Sequence, residues 1–211
     1  PKLNGVYGIN GGGEEGMEML LQRVSECIGF YPDGYVMVNL DGFVDLVEIM
    51  GGVTFDVPQD MYYNDPSQDL YIDLKAGEQK LDGKEAMGLV RFRYGYAEAD
   101  ITRTSVQRDF VSAAVDQWMG PKLLFKAPQL LHWLESNVET DMSLRNMLWL
   151  AWAMFGADTD NMTTEILPGS AANINGGSYY VLSPYDVVNT VNESLNPYER
   201  DITVDDLYIR G

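Results

Sequence analysis

Thiol and imidazole groups are nearly absent from this sequence: 211 residues hold one cysteine, Cys27, and one histidine, His132. A lone cysteine excludes an intrachain disulfide and a cysteine-built zinc site. A lone histidine leaves little for a His-based triad or a His-rich metal centre. Cys27 shares helical spacing with Leu20, Val24 and Ile28, so it reads as a small core residue rather than a reactive thiol. His132, among Leu130, Leu131, Trp133 and Leu134, reads as packed or half-exposed. Positive charge is scarce as well. Against 32 Asp+Glu stand 14 Lys+Arg, a formal charge of −18, which repels phosphate backbones and excludes a general nucleic-acid surface. Long apolar runs are missing too: Met147 to Phe155 falls short of the ~18 to 20 residues that span a bilayer. The first residues lack a secretory pattern and an initiator Met, so the chain is expected to be a piece of something longer.

What is present is 45% hydrophobic and 22% charged, ordinary for a domain with a real core. Tyr7 to Gly16 is a glycine loop. It lacks a GK[ST] ending and leads into acidic residues, so it reads as a structural turn before a helix over Glu15–Ile28 rather than a phosphate cradle. A strand at Tyr35–Leu40, a helix at Gly42–Met50, Gly51-Gly52 and a strand at Val53–Val57 suggest a βαβ-like unit. A polar, aromatic connection over Gln59–Asp69 precedes a strand at Leu70–Leu74 and a short helix at Lys84–Met87. Gly88–Tyr94 reads as a strand from its β-branched and aromatic content. Helices are predicted from Asp100 to Met119, Ala127 to Ser136, Ser143 to Phe155 and Pro184 to Leu195, with strands at Thr163–Leu167 and Tyr179–Leu182 around a loop over Pro168–Ser178. The fold class is α/β: one layered domain with a central mixed sheet flanked by helices. Residues 196–211 are expected as a charged tail over the surface.

Half of the scarce cations collect in one stretch: Lys75, Lys80, Lys84, Arg91, Arg93, Arg103 and Arg108. On a strand, Arg91 and Arg93 would share a face roughly 6 to 7 Å apart with Phe92 turned away. Asp100 reads as the N-cap of the next helix, whose first turns carry Arg103 and Gln107 on one face. Strand, loop and helix N-terminus would then meet at one anion pocket, where a planar guanidinium fork binds phosphate bidentately. The competing reading is that these arginines only neutralise surface carboxylates.

Arg91-Phe-Arg93 followed by Asp100, Arg103 and Gln107 resembles the signature of the LytR-CpsA-Psr family, which attaches lipid-carried glycopolymers to bacterial peptidoglycan. The surrounding text agrees with it: Pro1-Lys-Leu-Asn4, Gly11-Gly12, Gly51-Gly52-Val53, Gly77, Leu81-Asp82-Gly83 with Ala86, Thr140 to Leu144, and Leu167-Pro-Gly169. The likeness implies a catalytic domain over 1–195. It also implies a phosphotransferase with a polyprenyl-pyrophosphate-linked glycopolymer, of teichoic acid or capsular polysaccharide type, as donor and peptidoglycan as acceptor. Arg91, Arg93 and Arg103 would clamp the pyrophosphate, with Gln107 in support and Asp100 orienting Arg103 or assisting a Mg²⁺ ion. Two departures stand out. Glu48 replaces the family's usual aspartate, and the family's upstream strands with their Gly-x-Asp-x-Arg and Arg-Asp segments are absent. The resemblance therefore implies a missing N-terminal segment as partner, a membrane anchor preceding it, a place on the extracellular face of the membrane, and inactivity of residues 1–211 alone. Val106, Phe110, Trp118, Leu123, Leu124 and Phe125 are candidates for a lipid trough, or else ordinary core. The rival functions are a polyprenyl-phosphate-binding module without turnover and a transcriptional attenuator.

Overall fold

The computed structural model describes residues 2–93, 99–120, 122–155 and 165–209. Its elements are α1 (Leu3–Ile9), α2 (Gly13–Ile28), β1 (Val36–Val38), α3 (Leu40–Met50), β2 (Val53–Val57), β3 (Met61–Asp65), β4 (Leu70–Leu74) and β5 (Gly77–Leu81). They continue with α4 (Gly83–Arg91), α5 (Ala99–Trp118), α6 (Lys122–Asn137), β6 (Val138–Thr140), α7 (Leu144–Phe155), β7 (Gly169–Ile174), β8 (Gly177–Leu182) and α8 (Pro184–Ser194). The α/β class holds. Among the described residues the strands form antiparallel two-stranded ladders, β1 with β6, β2 with β5, β3 with β4 and β7 with β8. A βαβ unit needs its two strands in one sheet, so the expected unit over 35–57 is not formed. None of the described helices is long and apolar enough to cross a membrane.

The chain divides into two compact units, residues 35–162 and residues 1–34 with 163–211. In the first, β2 and β4 bury alternate residues, Val53 and Val57 on one and Leu70, Ile72 and Leu74 on the other. That alternation is what a half-buried strand requires. Around them gather Leu81, Ala86, Leu89, Phe92, Val106 and Phe110. Phe110 is 1% exposed and meets Phe55 edge-on at 5.7 Å. Val106 and Phe110 are therefore core and not a lipid trough, while Trp118 donates its ring N–H to the Gly52 carbonyl at 3.2 Å. Phe125 is exposed and Leu123 half-buried. The Leu124 side chain lies outside the described residues.

The expected strand over 88–94 is not formed by its described residues, 88–93, while residue 94 lies outside the described residues. Asp82 and Glu85 form a reciprocal capping box, Glu85 N donating to Asp82 Oδ1 at 2.9 Å and Asp82 N to Glu85 Oε2 at 3.0 Å. A helix so nucleated continues to Arg91 with Ala86, Met87 and Leu89 buried, and packing overrides the strand preference of Leu-Val-x-Phe. Gly83 lets α4 start there, because a Cβ on it would collide with the Val44 carbonyl.

In the second unit, Val187 and Val191 of α8 pack with Ile202 and Leu207. The tail from 196 is thus no simple surface extension. Asn192 clamps it like a strand partner: its Nδ2 donates to the Ile202 carbonyl at 2.8 Å and its Oδ1 accepts from Ile202 N at 2.9 Å. Gly29, left-handed at φ 82°, makes room for it, since a Cβ there would stand 2.5 Å from Ile202 Cγ2. α1 runs into the first three residues of the expected glycine loop, Gly11 and Gly12 make the turn before α2 at positive φ, and the expected loop over 168–178 contains β7. The expected strand over 163–167 lies partly outside the described residues, and its described part is irregular. Cys27 is half-buried, and desolvation pushes its thiol pKa up, with Glu26 adding to the rise. That combination disfavours a thiolate. His132 is exposed rather than packed.

Candidate functional site

Within the unit formed by residues 35–162, a cavity of about 380 Å³ is lined by Tyr63, Gln68, Leu70, Val90, Arg91, Arg93 and Gln107. Arg91 is the last residue of α4, and Phe92 leaves the helix at φ −64°, ψ 130°. Phe92 is 4% exposed. It anchors the chain inward, so Arg91 and Arg93 flank a buried ring and reach the same cavity. The alternation read from the sequence survives, but a helix end rather than a strand produces it.

The Arg91 guanidinium is aimed by a relay. Arg91 Nη2 donates to Gln68 Oε1 at 2.9 Å, and Gln68 Nε2 donates to Asp65 Oδ2 at 2.5 Å. The Ser67 hydroxyl and backbone N–H donate to the other Asp65 oxygen at 2.6 and 3.0 Å. Tyr63 Oη lies 3.3 Å from Asp65 Oδ2. Side-chain hydrogen bonds from Ser67 and then Gln68 hold the Asp65 carboxyl below its ordinary pKa, which fixes it as an acceptor. A neutral amide oxygen orients Arg91 without cancelling its charge, and no carboxylate among the described residues lines the cavity.

Gln107 reaches the same place but spends an N–H elsewhere, its Nε2 donating to the Val90 carbonyl at 2.7 Å. It thereby satisfies an orphan carbonyl at the C-terminal end of α4. At the other end, Glu48 Oε1 accepts from Gly83 N at 2.9 Å. The longer glutamate thus spans from α3 to the first N–H of α4, and side chains from two neighbours hold both ends of the helix that carries Arg91. α5 begins at Ala99, which places Asp100 in its first turn rather than at its cap. The side chains of Asp100 and Arg103 lie outside the described residues.

The wider basic cluster does not converge. Lys75 pairs with Asp60 at 3.0 Å on the surface, and Arg108 contacts Asp109 at 3.2 Å. Tyr63, Asp65 and Gln68 are the site residues that the sequence reading passed over, inside the connection 59–69. The Asp65-Pro-Ser67 turn signal was their one local trace. Among the described residues no group of three or more His, Cys, Asp or Glu could hold a metal ion. A cavity lined by two guanidiniums and two amides is likewise a poor donor set for Mg²⁺, so the described residues do not fit the ion by themselves.

The LytR_cpsA_psr family model matches residues 1–196. The chain is 29% identical over 203 residues to the polyisoprenyl-teichoic acid–peptidoglycan teichoic acid transferase TagU of Oceanobacillus iheyensis, covering 95% of this chain and 60% of that protein. It is 37% identical over 172 residues to the probable cell wall biosynthesis protein LcpB of Corynebacterium glutamicum, covering 79% of this chain and 38% of that one. Among solved structures it resembles TagV of B. subtilis with a TM-score of 0.71 and 26% identity, over 91% of this chain and 73% of that one. The chain therefore spans less than two thirds of the length of these two curated relatives.

Proposed function

Since the chain belongs to the LytR_cpsA_psr family, we propose that the protein is a phosphotransferase that moves a glycopolymer from a polyprenyl-pyrophosphate carrier to peptidoglycan. The observation that carries this reading is the pair Arg91 and Arg93 in one cavity, with Arg91 oriented through an amide and so still charged. A hydroxyl of the acceptor sugar attacks the phosphorus that bears the glycopolymer. A new P–O bond forms, the P–O bond to the carrier breaks, polyprenyl phosphate leaves, and the hydroxyl proton passes to a base or to water. Negative charge gathers on the bridging and non-bridging oxygens, and positioned cations lower that barrier.

In this proposal Arg91 and Arg93 clamp the diphosphate and Arg103 joins them from α5. Gln107 holds the end of α4 in place. Mg²⁺ belongs to the proposal as an ion that would neutralise diphosphate charge, with Asp100 as candidate ligand and carboxylates from an upstream segment of the family domain as the others. The substrates place the reaction at the extracellular face of the cytoplasmic membrane, where an anchor in an upstream segment would hold the domain. The test is transfer of a labelled glycopolymer to peptidoglycan by the complete protein. Transfer that falls at least about tenfold with Arg91→Ala or Arg93→Ala supports the reading. Carrier binding without transfer leaves only a binding module, and transfer untouched by both substitutions rejects the clamp.

A further inference from the structure

The unit formed by residues 1–34 and 163–211 has a cavity of its own, about 270 Å³, built where α2 ends and the tail returns. Its walls include Phe30, Tyr31, Tyr198 and Tyr208, with Glu26 and Asp206 between them. Three of these residues, Tyr198, Asp206 and Tyr208, lie beyond residue 196, where the family match stops. The cavity is thus partly a feature of this chain's own tail, fixed by Ile202 in its clamp and by Tyr208 N donating to the Glu26 carbonyl at 2.8 Å.

Four aromatic rings with two carboxylates would ordinarily suggest a cage for an organic cation. The carboxylates argue otherwise, because both are already neutralised. Glu26 pairs with Arg23. Asp206 receives both Arg200 terminal nitrogens, Nη1 on Oδ2 and Nη2 on Oδ1, each at 3.0 Å. An incoming cation would have to displace a guanidinium at each. An anion would face an acidic chain of charge −18. What such walls favour is a neutral, polyhydroxylated ring. Its apolar face can lie on a tyrosine, and its hydroxyls can reach the tyrosine hydroxyls and the remaining carboxylate lone pairs. Tyr31 and Tyr208 are 54% and 73% exposed, which leaves their faces open to such a ring.

We infer that this cavity is a saccharide-binding subsite that takes an uncharged sugar ring of the peptidoglycan glycan strand. The choice of glycan rests on the proposed function. The site itself does not, because it shares no residue with the arginine cavity. It would tether the acceptor strand while leaving the phosphoryl chemistry to the other unit.

The test is equilibrium binding of a soluble, uncharged N-acetylglucosamine oligomer, the neutral sugar of the glycan strand, to the full chain. Tyr31→Ala and Tyr208→Ala are each expected to weaken binding roughly tenfold with an unchanged melting temperature, while Tyr208→Phe retains most of the affinity. Equal affinity in all variants, tighter binding of tetramethylammonium or of a free phosphate-bearing polymer, or loss of glycan binding through Arg91→Ala would each overturn the assignment. Failure of the two readings is separable. Diphosphate binding that depends on Arg91 alongside tyrosine-independent glycan binding removes only this inference. The converse removes only the proposed transfer.

Discussion

Two cavities among the described residues use the same side chain in opposite ways. At Arg91 the guanidinium is held by an amide oxygen, which is itself oriented by a carboxylate one residue further out. At Arg200 the carboxylate is the direct partner, and two parallel N–H···O bonds close the pair. A bidentate ion pair has little net charge to offer a ligand, whereas a guanidinium steered by an amide keeps its own. What an arginine can bind therefore depends less on its being there than on the charge of whatever orients it. That difference underlies the two proposals, diphosphate for one cavity and an uncharged ring for the other.

The largest expected effect comes from moving the helix that carries Arg91. Gly83→Ala should cost about 2 to 4 kcal/mol in denaturant unfolding, because the obstacle is the Val44 backbone, which cannot swing aside. Next comes a direct exchange of the two arrangements. Gln68→Ala should weaken binding of a sugar diphosphate several-fold by releasing Arg91, and Gln68→Glu should weaken it further by cancelling the charge. If Gln68→Glu binds as well as wild type, the amide has no special role.

The smallest effect is a pH dependence. Hydrogen bonds from Arg200, then from the Thr203 backbone and hydroxyl, hold the Asp206 pKa well below the ordinary carboxylate range. A lowered folded-state pKa adds stability above the unfolded value of about 4 and loses it as pH falls from there toward the folded value. Asp206→Asn should therefore melt earlier than wild type at pH 7, with the gap shrinking below pH 4. The pair is exposed, so solvent screening keeps the difference small. A gap that grows on acidification would contradict the assignment.

Much of this was legible from residue order, and the failures have physical causes. Val53–Val57 and Leu70–Leu74 emerged whole because their alternate residues face the core. Their partners β3 and β5 did not, since Met61-Tyr-Tyr-Asn-Asp65 and Gly77-Glu-Gln-Lys-Leu81 contribute mainly outward-facing polar residues and owe their shape to the strands they pair with. Gly88–Tyr94 misled because strand-like composition outvoted the capping box six residues earlier. At the site, Arg91, Arg93 and Gln107 were readable as a motif. Gln68 was not, because 23 residues separate it from Arg91 and only the β3–β4 hairpin brings it across. Ile202 and Leu207 stand in an acidic tail without helical or strand periodicity, and it is Asn192, ten residues before Ile202, that anchors them.

The proposed function requires Arg91 and Arg93 to hold a diphosphate together. The most direct measurement is the affinity of a short-chain prenyl-diphosphate sugar for the full chain and for Arg91→Ala and Arg93→Ala, with melting temperature recorded on the same samples. The prediction is a drop of roughly tenfold or more for each substitution with melting temperatures unchanged within about 2 °C. Undiminished affinity, or a collapse of stability with affinity retained in the folded fraction, would show these arginines to be structural.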